Sequence, residues 1–157
     1  MGKPSPVRRG HAALRRGRVS VTNQVYLVTF TTHQRAPLFS DPDCAMSMAR
    51  ASNDRRLWTS SELLAWVLMP DHWHGLLVLG ERDYLPSLVQ RLKANTGRHV
   101  RQVDARVGRV WGAGYHDRAL RAEEQLLDAA RYVVMNPVRA GMVTRVGDYP
   151  YWDAKWL

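Results

Sequence analysis

The stretch Met69 to Gly80, MPDHWHGLLVLG, does most to limit how this chain can fold. It follows an unbroken apolar run of strand length, Leu63 to Leu68 (LLAWVL). Between them, Met69-Pro70-Asp71 reads as a tight turn, because proline fixes φ and aspartate can hydrogen-bond its own backbone. Two apolar runs joined by so short a connection predict a β-hairpin. Side chains alternate faces along a strand, so His72 and His74 share one face and Trp73 takes the other. Paired imidazoles on an apolar strand are a metal-ligand arrangement. In isolation the same pattern more often belongs to two hydrogen-bonded surface histidines, and other parts of the chain must decide.

A chain of 157 residues reads as one domain and is long enough to bury about 70% of its extended-chain surface. The single cysteine, Cys44, excludes an internal disulfide, which fits a reducing compartment. No apolar run approaches the roughly 20 residues of a membrane span, and the basic N-terminus is not followed by the apolar segment of a secretory signal. A cytoplasmic protein is expected, with no membrane partner. Lys and Arg number 23 against 14 Asp and Glu, a formal charge of +9. Most of the cations are arginine, whose planar fork suits phosphate, so nucleic acid is the expected partner.

Residues 1–20 combine Pro4, Pro6, Gly2, Gly10 and Gly17 with Arg8, Arg9, Arg15, Arg16 and Arg18. They are expected to form a flexible basic arm, leaving residues 21–157 as a single domain. Val25 to Thr31 (VYLVTFT) is a first strand. Asp41-Pro42 starts a helix running through Cys44, Met46 and Met48 to near Arg55, and the hairpin follows. A second helix from Leu85-Pro86 to Val103 presents Leu85, Leu88, Val89 and Leu92 as its core stripe. Its cations Arg91, Lys93 and Arg98 are left for solvent or phosphate. Tyr115 to Arg121 is expected to be a fourth strand. A last helix runs from Ala122 to Asn136-Pro137, where proline ends it, and an aromatic tail docks on the body. The order β-α-β-β-α-β plus a helix is the split βαβ, ferredoxin-like plan of an α+β protein.

On that last helix Leu126, Leu127, Ala130, Val133 and Val134 make the core-facing stripe at about 100° per residue. Tyr132 falls nearly opposite, with Asn136 one turn on and Gln125 on the same side. A surface tyrosine partly covered by the tail is the ordinary alternative. Two imidazoles and an amide oxygen can hold a divalent cation with positions open for phosphate and water, and a phenol can attack phosphorus.

The chain resembles the single-tyrosine transposases of the HUH (His-hydrophobic-His) endonuclease superfamily, and within them the REP-associated branch. The likeness is carried by YLVTFTT, MPDHWHGLL, WGAGYHDRALR and YVVMNPVRAG and runs from about Arg15 to the C-terminus. It implies that His72 and His74 bind Mg²⁺ or Mn²⁺, with Asn136 completing the site. Insertion-sequence members commonly have Gln at that position, one carbon longer. It further implies that Tyr132 attacks a DNA phosphate to give a 5′-phosphotyrosine and a free 3′-hydroxyl. The implied substrate is single-stranded hairpin DNA of the REP type. Separately, no obligate protein partner is inferred, a monomer is expected over a dimer, and the nucleoid is the expected location. Tyr115, beside His116 and Asp117, is the rival nucleophile, or all three support the site.

A different class of protein also fits the charge and fold: a ferredoxin-like nucleic-acid-binding module without chemistry. That reading leaves His-Trp-His and the Tyr132/Asn136 pair unexplained. On either view DNA affinity should fall steeply with salt, and removing residues 1–18 should lower the log–log salt slope. An unchanged slope in filter-binding titrations would remove the arm from the DNA interface.

Overall fold

The computed structural model describes residues 20–121 and 125–156. The arm, with Arg15, Arg16 and Arg18, and the expected helix start at residues 122–124 lie outside the described residues. Five strands form one sheet: β1 (Val25–Thr31), β2 (Glu62–Met69), β3 (His72–Val78), β4 (His116–Ala119) and β5 (Trp152–Ala154). Their order is β4-β1-β3-β2-β5, and every pairing is antiparallel. The first four strands follow the ferredoxin-like order, and β5 extends the sheet beyond β2. That fifth strand is where the aromatic tail docks.

Among the described residues four α-helices accompany the sheet: α1 (Pro42–Ser52), α2 (Leu85–Val103), α3 (Leu126–Val134) and the single turn α4 (Asn136–Arg139). Asp41 caps α1, accepting from the backbone N–H of Asp43 and Cys44, as a residue of that type before Pro should. Ser20 Oγ accepts the Leu85 N–H at the start of α2, joining the beginning of the described chain to the body. Helix α1 stops at Ser52 instead of Arg55; Asn53 and a short turn begun by Asp54 follow.

The sheet separates two cores. One lies under α1 and α2 and contains Val28, Phe30, Met48, Trp73, Leu77, Leu88 and Leu92. The other lies under α3 and contains Leu27, Val67, Met69, Leu76, Ala130, Val133 and Tyr149. The helix stripe is rotated from its expected position: Leu127 is 46% exposed and Ala129 only 8%. Adjacent alanines, 129 and 130, allow the helix to settle close against β2 and β3, so small residues hold the contact that a leucine was expected to make.

Strand β3 is shared by both cores. Trp73, fully buried, stacks on Phe30 with ring centroids 5.0 Å apart, and Phe30 meets Trp111 edge-on at 4.6 Å. The indole lies over Gly75, where a Cβ would fall 2.1 Å from its nearest ring carbon. Gly75 has no left-handed backbone, so alanine is conformationally acceptable there and only the indole forbids it. Gly75→Ala is therefore expected to destabilise the fold by roughly 1–3 kcal/mol through overpacking, read as a lower urea midpoint. An unchanged or raised midpoint would show that Trp73 can yield.

Candidate active site

The two histidines stand where alternation requires. In the register β1 pairs Thr29 with His74 and Thr31 with His72, while β2 sets Val67 and Met69 opposite the same two residues. Both imidazoles thus face the core beneath α3. Pro70 and Asp71 form the two-residue turn between the strands. Its carbonyls are taken by the Phe39 N–H (3.0 Å), the Thr32 N–H (2.9 Å) and the Thr32 hydroxyl (3.1 Å). A hairpin end held from two directions keeps His72 from wandering.

Each imidazole is oriented by a neighbour. His72 Nδ1 lies 2.8 Å from Asp71 Oδ1, and the other carboxylate oxygen lies 3.1 Å from Arg35 Nε. A carboxylate on one ring nitrogen fixes the tautomer and turns the other nitrogen outward, the usual support for a metal-binding histidine. Arg35 and Gln34 both have φ of 55°, a left-handed conformation that non-glycine residues seldom adopt, and this bend brings the guanidinium to Asp71. His74 Nδ1 is hydrogen-bonded to Thr29 Oγ1. Its Nε2 is buried and has no hydrogen-bond partner, which normally costs free energy.

Burial, followed by the charges of His72, Arg139 and Arg118, pushes the His74 pKa down to about 4. A neutral imidazole with a bare Nε2 suits a metal ion. Asn136, the first residue of α4, places its Nδ2 3.4 Å from His72 Nε2. Oxygen and nitrogen of an amide exchange by a half-turn of the side chain, which would bring Oδ1 to the same place. The candidate donor set is therefore two imidazoles and one amide, groups that ligate a metal in their uncharged forms. Among the described residues no group of three His, Cys, Asp or Glu could hold a metal. The orphaned nitrogen and the amide beside His72 fit a divalent cation that shares its coordination with an anionic ligand from outside.

Tyr132, 55% exposed, meets the His74 ring edge-on at 6.2 Å, and the Arg139 guanidinium covers its ring at 3.9 Å. The helix turns its apolar side to the sheet and so places this phenol at the imidazoles. Proline at 137 has no N–H for the preceding turn. The chain nevertheless resumes as α4, with Pro137 buried, and this keeps Asn136 close to His72. Gln125 is exposed, just ahead of α3.

The other sequence candidates are placed differently. Tyr115 is 8% exposed and belongs to the core beneath α1 and α2, on the far side of the sheet from the imidazoles. His116 pairs with Thr29 and so faces the His74 side at the sheet edge; Asp117 pairs with Val28 and faces away. On α2, Arg91 is ion-paired with Asp83 at 2.7 Å, and Lys93 Nζ donates to the carbonyls of Gly112 and Gly114. Arg98 donates to Asn95. These three cations sit on the layer opposite the imidazoles. Sequence reading passed over Thr29, Arg35, Asp71, Arg118 and Arg139. Asp71 could have been found by adjacency and Arg139 by its position two turns beyond Tyr132, whereas Thr29 needs the strand register.

Among the described residues no helix is long and apolar enough to cross a membrane. The chain is 28% identical to the REP-associated tyrosine transposase of Escherichia coli (strain K12) over 90 residues, 57% of this chain and 52% of that protein. It thus spans about half the length of that curated relative. Its fold is similar to that of a REP-associated tyrosine transposase solved bound to a REP hairpin. The TM-score is 0.65 at 21% identity, over 86% of this chain and 79% of the other. It is also similar to a putative transposase from Deinococcus radiodurans R1, with a TM-score of 0.51 at 21% identity over 74% and 93%. The family of IS200-like transposases matches residues 20–135. With that match covering most of the chain, the protein belongs to the IS200-like transposase family.

Proposed function

We propose that the protein cuts and rejoins single-stranded, hairpin-forming DNA of the REP type, using a divalent cation and Tyr132 as nucleophile. The observation that carries this reading is the buried, unpartnered Nε2 of His74 beside the exposed phenol of Tyr132. His72, His74 and Asn136 would hold Mg²⁺ or Mn²⁺. The ion, when bound, polarises the phosphoryl oxygens of the scissile linkage.

The remaining work belongs to the chain. Thr29 and Asp71 would keep the imidazoles in their ligating tautomers, and α3 sets the Tyr132 ring beside that of His74. Tyr132 Oη forms a bond to phosphorus as the P–O3′ bond breaks. The phenol proton leaves to solvent, and the departing 3′ oxygen is protonated. One phosphodiester becomes a 5′-phosphotyrosine, so its energy is conserved and rejoining needs no nucleotide cofactor. An unpaired strand can turn its phosphate in line with the phenol and stack its bases on aromatic surfaces. The basic arm of residues 1–20 would add salt-sensitive contacts to the backbone, acting beside a single catalytic domain. Such an enzyme would work as a monomer among cytoplasmic, nucleoid DNA.

Manganese binding to the protein–oligonucleotide complex, followed by electron paramagnetic resonance, is expected to be lost in His72→Ala and His74→Ala. Oligonucleotide affinity measured without divalent metal should remain within about twofold, because the basic surface is untouched. Full Mn²⁺ binding by the double variant would remove the histidines from the metal site.

Incubation with labelled single-stranded hairpin DNA and Mg²⁺ should give a covalent adduct that survives denaturing gels and maps to the peptide containing Tyr132. Tyr132→Phe should abolish it while stability changes by no more than about 0.5 kcal/mol, since the ring is exposed. Tyr115→Phe should still form adduct. A cross-linked peptide containing Tyr115 would overturn the assignment, and no adduct with a competent substrate would favour a binding module without chemistry.

A further inference from the structure

The face that carries the imidazoles also gathers two arginines for which the chemistry above has no use. Arg139 lies on α4, two helical turns beyond Tyr132, with its guanidinium carbon 3.9 Å from the centre of that ring. This is well within the range of a cation–π contact. Arg118 lies on the edge strand β4, directly across from Leu27. Leu27 belongs to the core under α3, and residues paired across strands share a face. Arg118 is therefore on the imidazole side, next to the row His116–Thr29–His74.

Both side chains are exposed. Among the described residues neither is in an ion pair, which is equally true of the exposed Arg50, Arg55 and Arg82; what sets this pair apart is the shared face beside the imidazoles. Both charges reach His74, where they add to burial in favouring the neutral ring. Two guanidiniums thus converge from separate elements on a site whose candidate metal ligands are two imidazoles and an amide, and among the described residues no carboxylate is ion-paired with either.

We infer that Arg118 and Arg139 form a two-sided clamp on the DNA phosphodiester that Tyr132 attacks. The inference rests on the proposed function and adds the groups that grip the substrate phosphate. Arg139, stacked on the ring, fixes the direction of the phenol and reaches the phosphate from the nucleophile's side; Arg118 reaches it from the sheet edge. Guanidinium N–H groups donate to the non-bridging oxygens in strong, charge-assisted bonds. Neither arginine enters the bond changes, which remain formation of Oη–P and cleavage of P–O3′. Both are positioning residues for the scissile phosphate.

A binding scan tests this without any need for cleavage. Single-stranded oligonucleotides with a REP-type hairpin and an unpaired flank are prepared, each flank linkage in turn replaced by an uncharged methylphosphonate. The full chain is expected to lose about tenfold in affinity at one linkage, the scale of one charge-assisted contact. In Arg118→Ala and in Arg139→Gln that penalty should shrink to about twofold or less, while penalties at other linkages persist. Arg139→Lys, which keeps the charge but not the fork, should fall between. Arg118→Ala leaves the Tyr132 ring contact untouched, so its scan is independent of any change in ring packing. Variant scans that match wild type, or a wild-type scan with no sensitive linkage, would overturn the clamp. Adduct mapping on the unmodified oligonucleotide judges the parent reading separately. An adduct formed at the sensitive linkage supports both, and one formed elsewhere overturns the clamp. No adduct, with an arginine-dependent linkage still present, removes the nucleophile and leaves the phosphate site standing.

Discussion

The indole of Trp73 lying flat over Gly75 is the contact on which the arrangement of the molecule depends. It fills the centre of the core beneath α1 and α2 and sets the rotation of β3 about its own axis. With that side of the strand occupied by Trp73 and Leu77, the neighbouring residues His72, His74 and Leu76 have only the opposite face to take. A one-residue slip would bury the imidazoles among methionines and leucines and bring the indole out under α3. The polar site is thus specified by an apolar contact on the far side of the sheet.

The surroundings of the imidazoles follow a consistent electrostatic plan. Among the described residues the carboxylate adjoining them is Asp71, shared between Arg35 and Nδ1 of His72, so its charge is spent behind the imidazoles. In front of them stand Arg118, Arg139 and the phenol. Negative charge supports the histidines from behind, while the open side is left positive. Such a division favours an incoming phosphate over a resident acidic side chain.

Much of this could be read from the sequence because it depends on short-range patterns. VYLVTFT, the hairpin and the stripe of α2 each show their period within a few residues, and the two histidines show their shared face through alternation alone. Tyr132 and Asn136 were visible as residues off the core side of one helix. The unreadable parts depend on long-range register or on fit. Thr29 reaches His74 only because β1 and β3 pair with that offset. Leu127 gave way to Ala129 because close approach to the sheet mattered more than residue size. β5 has three residues, too few for any period, and its place on β2 is set by the tertiary fold. Arg118 looked like one more cation in a basic chain until the strand pairing assigned it a face.

That the candidate ligands His72, His74 and Asn136 are imidazoles and an amide, with no carboxylate among them, has a thermodynamic consequence. A divalent cation gains little from two imidazoles and an amide alone, and much from an adjoining anionic oxygen. Metal and DNA would then be mutual effectors, each raising the other's affinity by the same factor, because coupling between two ligands is reciprocal. Without its strand the protein would hold the cation poorly, and the phenol would stand beside a ligand set without a carboxylate. Assembly of the reactive centre would then be a property of the ternary complex, with the strand itself acting as the switch.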